Sequence, residues 1–342
     1  MTARRKVRRA LIVLVLLHAV IFLADVLAPY DPLVQHRSFP FAPPTRPRFV
    51  DAQGAIHFRP FVYALAEGPE MSGQYQEDTS RAYPFRLFVP SAPHRVAGLI
   101  EVRHRLFGVD EPARLFLLGT DGYGRDQLSR LLHGGRLSLA AGLLASTVSL
   151  FLGLVIGTLA GFYGGRIDAL LMRLAELFLA LPWLYLLFAL RAFLPLDVPP
   201  ARAFLLIVLV VGLVDWARPA RLVRGVTLSA REREYVLAAR GFGASDAYLM
   251  RVHVLPQAAG VVLTQAAILI PQYVLAEVAL SFLGLGVGEP TPSWGNMLGV
   301  LQQYHVLASY WWLWAPALAL VVVFLTYYSL ADALHAGEAG GV

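Results

Sequence analysis

The chain has 342 residues, of which 57% are hydrophobic and only 15% charged, with a formal net charge of +6 and no cysteine. So little charge over such a length points to lipid as the surrounding medium, and the lack of cysteine excludes disulfides, thiolate catalysis and cysteine-ligated metal centres. The sole lysine, Lys6, lies in no glycine-rich loop, so the chain carries no P-loop for nucleotide hydrolysis.

In chain order, Arg4, Arg5, Lys6, Arg8 and Arg9 precede an apolar run over residues 10–28. At roughly 19 residues this run is long enough to span a bilayer. The segment around Pro29 and Pro32 makes a poor cleavage site, so the run reads as an uncleaved first helix with its N-terminus in the cytoplasm. Residues 29–118 have another texture. They hold more than half of the 22 prolines, many charges and no spanning run. They read as an extracytoplasmic insertion of mixed or irregular structure, with short strands expected at places such as 85–89. His36, His57, His94 and His104 lack metal-ligand spacing there, and no metal site is expected.

Five further apolar runs follow, over 137–163, 167–190, 203–216, 258–285 and 310–333. The expected architecture is therefore an all-α polytopic membrane protein with six spans and both termini cytoplasmic. Loop charge supports this orientation. Residues 217–257 carry Arg218, Arg221, Arg224, Arg231, Arg233, Arg240 and Arg251, whereas 286–309 carry no lysine or arginine.

Ser149, Gly153, Gly157, Gly161 and Gly165 recur every fourth position, which makes one smooth helix face suited to close packing in lipid. Glu176 and Glu277 lie within spans and need partners or an aqueous cavity. Arg173 is placed to pair with Glu176, and a structural role is expected for Glu277. The sequence offers no catalytic constellation, and no His/Glu metal spacing.

The 217–257 loop is the most informative stretch. Residues 231–240 suit a short helix, Gly241 and Gly243 break it, and Ala244, Ser245 and Asp246 supply N-cap chemistry for a second helix over 248–254, before Pro256. The pair is expected to present Tyr235, Val236, Ala239 and Phe242, an apolar knob that calls for a partner.

The run Glu234-Tyr-Val-Leu-Ala-Ala-Arg-Gly-Phe-Gly-Ala-Ser245, followed by His253-Val-Leu-Pro256, resembles the "EAA" loop of type-I ABC importer permeases. Ala238, Ala239, Gly243, Leu255 and Pro256 match that pattern. Leu237 stands where its glutamate would be, and His253 where isoleucine is usual. Gly119-Thr-Asp-Gly-Tyr-Gly-Arg-Asp126, Gly135-Arg-Leu-Ser138, Gly161-Phe-Tyr-Gly-Gly165, Leu280-Ser-Phe-Leu-Gly-Leu-Gly286 and Pro292-Ser-Trp-Gly-Asn-Met297 resemble the peptide, oligopeptide and nickel branch. Within it, the resemblance is to the dipeptide/oligopeptide permease C type, leaning by its long insertion to microcin and oligopeptide uptake.

That resemblance implies a non-enzymatic subunit of a bacterial inner-membrane importer, forming a pathway for peptides or similar small solutes. It implies a five-helix permease core over 119–335, with the first helix in 1–28 and a short tail over 336–342. ABC ATPase subunits would bind and hydrolyse ATP, so the chain itself needs no cofactor. A second, usually different permease and an extracytoplasmic solute-binding protein complete the assembly, with no role for nucleic acid. Coupling to the ATPase would fall to Tyr235, Val236, Leu237, Ala238, Ala239, Arg240, Gly243, Ala244, Ser245, His253 and Pro256. The alternative is a stand-alone secondary transporter, which would need midplane sites and usually internal repeats; no repeat is visible.

Overall fold

The computed structural model describes residues 3–67, 75–96, 99–182, 185–186, 188–189 and 199–339. The chain is mostly helical and divides into two compact units. The first comprises Met1–Leu14, Leu139–Leu280 and Val322–Val342; the second comprises Val15–Ser138 and Ser281–Val321.

In chain order the helices are α1 (Ala3–Phe22), α2 (Ala24–Leu27), α3 (Gln127–Tyr163), α4 (Gly165–Ala180), α5 (Pro200–Val214), α6 (Ala217–Arg231), α7 (Glu234–Gly241), α8 (Asp246–Phe282), α9 (Trp294–Gly299), α10 (Tyr304–Ser309) and α11 (Ala315–Ala339). Among the described residues three helical stretches are long and apolar enough to cross a membrane: Gln127–Tyr163, Asp246–Phe282 and Trp311–Ala336. Three of the six expected spans fall short by that measure. α1 opens on the basic residues, while α4 and α5 have 16 and 15 residues. Part of the expected 167–190 span lies outside the described residues.

In the first unit, α3 packs on α6, and the contact is set by small residues. A Cβ placed on Gly153 would lie 2.8 Å from the Pro219 ring, and one on Gly161 2.8 Å from the Arg224 carbonyl oxygen; one on Gly157 would press still closer on the Ala220 carbonyl oxygen. Backbone meets backbone here, which only glycine permits. On the facing side α6 buries Ala217, Ala220, Val223, Thr227 and Ala230 at helical spacing. Residues 217–231 therefore form a packed helix and not the loop expected from their charge. Their arginines occupy the other helix faces, and the small residues make the contact.

The second unit contains the β structure of the insertion. Strands β1 (Arg48–Val50), β2 (Ile56–Glu67) and β3 (Tyr75–Pro84) form an antiparallel sheet in the order β1-β2-β3. β4 (Arg86–Val96) and β5 (Ile100–Gly108) form a separate hairpin. Val62, Tyr83, Val109, Ala113 and Leu115 make a local core. The two ends of the insertion are tied together. Thr45 N–H donates to the Phe116 carbonyl at 2.8 Å, Phe116 N–H donates to Thr45 Oγ1 at 2.8 Å, and Thr120 N–H donates to the Ala42 carbonyl at 2.9 Å. These bonds close the segment on itself, so it is folded and not an irregular loop.

The Gly119–Asp126 signature builds an ion cluster in this unit. The Arg125 guanidinium donates to Asp121 at 2.7 Å and to Glu289 at 2.6 Å, and Arg130 donates to Glu289 at 2.9 Å. This ties the 283–293 loop to the start of α3. Trp294 Nε1–H adds a bond to the Leu131 carbonyl at 2.9 Å. Asp126 caps α3, its Oδ2 accepting from Ser129 N–H at 2.8 Å and Ser129 Oγ at 2.6 Å. Complete burial nevertheless pushes its pKa up to about 7, with the charge of Asp121 adding to the shift.

The helix contact and the buried carboxyl each lead to a prediction. Gly157→Val should destabilise the purified chain by about 1–3 kcal/mol through overpacking against the α6 backbone. Gly225→Ala, inside the same helix where no atom lies within 4 Å of the new Cβ, should instead stabilise by about 0.5–1 kcal/mol; thermal unfolding in detergent reads both. For Asp126 the folded-state pKa lies above the unfolded value, so its contribution is fully present below the unfolded pKa and is lost as pH rises through about 7. Asp126→Asn keeps the cap acceptor but not the charge. Its melting temperature relative to the parent should therefore climb between pH 4 and pH 7; a pH-independent difference would refute this assignment.

Candidate docking surface

The region singled out by sequence folds as two helices meeting at a tight turn. α7 ends at Gly241, and Gly243 follows at φ +88°, a left-handed conformation that L side chains adopt only with strain. Ser245 then caps α8, its Oγ accepting from Tyr248 N–H at 3.3 Å. α8 differs from the expectation of a short second helix ending before Pro256. It runs unbroken from Asp246 to Phe282, with a π-helical turn over Leu249–Val254. Pro256 is tolerated because it occupies the first turn of the regular α segment Leu255–Phe282, just after the widened turn. The turn therefore joins a membrane-crossing helix directly, without a loop between them.

The helices present one face and bury the other. Val236 is fully buried with Phe162, Ala230, Leu249 and Val254, while Ala239, Ala244 and Met250 pack at the edge of that cluster. Tyr235, Leu237 and Tyr248 are about half exposed, and Phe242 is 92% exposed. Ala238, Arg240, Gly243, Ser245 and Pro256 are also exposed, and His253 is half-buried between the Tyr235 and Tyr248 rings. Gln257 donates from Nε2 to the Tyr235 hydroxyl, which braces α7 against α8. The expected outward placement of Val236 and Ala239 is thus corrected. One helical turn of α7 cannot expose adjacent positions on opposite faces equally, and Val236 takes the inner face while Tyr235 and Leu237 flank it.

The contacts beneath this surface carry residues that sequence reading did not single out. Arg231 donates to the Gly161 carbonyl at 2.9 Å and to the Phe162 carbonyl at 3.2 Å, capping the C-terminus of α3. Arg224 makes a two-pronged ion pair with Asp168 of α4, at 2.5 and 2.6 Å. The Arg240 guanidinium lies 5.3 Å from the Phe162 ring centroid. α7 is therefore joined, through α6, to the ends of both α3 and α4. The sequence carries only a partial signal for this, the small residues at 217, 220, 227 and 230, which lie on one face of a helix.

Of the intramembrane carboxylates, Glu277 is fully buried and Glu176 is exposed, as is Arg173. The expected Arg173–Glu176 ion pair does not form; the ion pair on α4 is made by Asp168, one turn from its N-terminus. Asp215 is bonded through both its side chain and its main chain. Tyr273 donates to its Oδ2 at 2.9 Å, and Ser149 Oγ donates to its main-chain carbonyl at 3.1 Å. Asp215 and Tyr273 border a cavity of about 460 Å³ in the first unit, together with Val211, Arg218 and Ala276.

Three helices long and apolar enough to cross a membrane, a mainly apolar cavity bordered by Asp215 and Tyr273, and an exposed helical turn joined to the helix ends are the features of a membrane protein. Residues 153–338 match the model of the binding-protein-dependent transport system inner membrane component, and the chain belongs to that family of non-enzymatic ABC transporter permeases. It is similar to the di/tripeptide transport system permease protein DppC of Pseudomonas aeruginosa, with 40% identity over 221 residues, covering 64% of this chain and 70% of that one. The oligopeptide transport system permease protein OppC of Bacillus subtilis is 33% identical over 228 residues, covering 66% and 71%. The Escherichia coli protein of the same description is 38% identical over 217 residues, covering 64% and 70%.

The two-faced geometry makes a direct prediction. Val236→Ala should cost about 1–2 kcal/mol, the transfer energy of its buried methyl groups plus a small cavity. Leu237→Ala should stay within about 0.5 kcal/mol. Equal effects in detergent melts would reverse the assignment of faces.

Proposed function

We propose that the chain is one of two membrane-spanning subunits of an ATP-driven importer for peptides or similar small solutes. The observation that carries this reading is the exposed α7 surface around Phe242, together with its connections through α6 to α3 and α4. A separate ATPase would receive Tyr235, Leu237, Ala238, Phe242 and Tyr248 in a groove, a helix-in-groove contact. Val236, Ala239, Ala244, His253 and Pro256 would hold the helices in position, Gly243 and Ser245 would set the turn, and Arg240 would line its rim. Closure of the ATPases would push the turn, and α6 would pass the movement to α3 and α4 as rigid bodies. The name of the P. aeruginosa relative supports short peptides as the cargo.

In this reading the chain crosses the bacterial inner membrane six times with both termini in the cytoplasm. Residues 29–118 lie outside, the 119–335 core carries the pathway, and the 217–257 stretch faces the ATPase. α1, α4 and α5 supply the remaining spans. The cavity beside Asp215 and Tyr273 would belong to the pathway, completed by a second and different permease. An external solute-binding protein would deliver cargo.

The test is recovery of partners from native membranes through a C-terminal tag. The parent chain should bring down an ATPase and a second permease. Phe242→Asp should lose at least nine-tenths of the ATPase while retaining the parent melting temperature. Full ATPase recovery with Phe242→Asp would reject docking through α7.

A further inference from the structure

The hairpin of the second unit is opened by an irregularity. Pro90 pairs with His104 and His94 with Val102, so residues 91–93 of β4 oppose a single residue of β5. The strands part there, and a cavity of about 450 Å³ forms, within the range of small-molecule sites. Its walls include Tyr30, Val89, Ala92, Arg105, Phe107 and Arg114.

The charges around it are mostly committed elsewhere. Asp110 is held by Arg86 at 2.7 Å, Glu111 by Arg114 at 3.0 Å, and Asp25 by Arg136 at 3.0 Å. Asp31 turns back on its own chain, its Oδ1 accepting from Leu33 N–H at 2.8 Å. Arg105 is different. It is only 9% exposed, and among the described residues its guanidinium makes one hydrogen bond, 3.3 Å to the Ala28 carbonyl, and no ion pair. Burial holds its pKa below the ordinary arginine range, with Asp31 and Asp25 partly offsetting the effect. A buried cation with most of its donors uncommitted is costly unless an anion joins it. The planar fork fits a carboxylate by two parallel bonds. Pro29, Val89 and Phe107 give the rest of the cavity apolar surface for a side chain.

We propose that this cavity is a solute site, in which Arg105 receives the carboxylate of a small molecule of the size of a short peptide. The choice of a peptide rests on the importer reading; the carboxylate does not. The insertion would then meet cargo outside the membrane, before the pathway.

Isothermal titration of the purified full chain in detergent tests this, with trialanine and its C-terminal amide as probes. Trialanine should bind saturably, and the amide at least tenfold more weakly. Arg105→Gln should abolish binding and Arg105→Lys should retain part of it. Ala92 is exposed, so Ala92→Trp fills the cavity without removing an internal contact; it should abolish binding at an unchanged melting temperature, whether or not Arg105→Gln folds. No saturable heat, equal affinity for acid and amide, or parental binding by Ala92→Trp would each overturn the site. Those results leave ATPase recovery through Phe242 untouched, so failure of the pocket and failure of the importer reading are separable.

Discussion

Three glycines one helical turn apart let α3 and α6 touch backbone to backbone. In hydrocarbon, helices gain nothing from burying apolar surface against each other, because lipid is as apolar as leucine. Close approach is what remains. Gly153, Gly157 and Gly161 supply it, and Ala217, Ala220 and Thr227 answer from α6. Arg231 then caps the last carbonyls of α3, which leaves the two helices joined at the end nearest α7. The Asp168–Arg224 pair ties in α4 at the same level. α7 is therefore connected through α6 to both α3 and α4 by close contacts.

Much of this arrangement was legible in sequence, and the parts that were not have identifiable causes. The stripe on α3 reads directly, since glycine at a four-residue period serves close helix packing and little else. Gly243 and the Ser245 cap also read directly, because positive φ and an N-terminal acceptor each select few residue types. α6 did not read as a helix. Its arginines point to a cytoplasmic loop by charge, and its buried side chains are small, so no apolar period announces it. Asp168 does not stand out beside Glu176, because spacing along one helix is visible in sequence and a partner on another helix is not. The inward turn of Val236 depends on Phe162, which lies more than 70 positions earlier in the chain.

The insertion shows the same limit. Prolines and scattered charge mark it as non-helical, but its closure depends on pairing between Thr45 and Phe116 and between Ala42 and Thr120. Those partners are brought together only by the strands between them. The signature ending at Asp126 likewise matches by motif, whereas its physical role emerges from Glu289, whose carboxylate is shared by Arg125 and Arg130. A motif match identifies the residues, and the fold shows which of them bear on each other.

The central claim is that α7 offers Phe242 to an ATPase while Val236 faces inward. Because the chain has no cysteine, single cysteines introduced at these two positions can be followed one at a time in native membranes. With a short thiol-reactive crosslinker, Phe242→Cys should yield an adduct of the chain with an ATPase, and Val236→Cys should yield none. The claim would be contradicted by Phe242→Cys giving no ATPase adduct while reacting with a membrane-impermeant thiol reagent applied to the outside of intact cells.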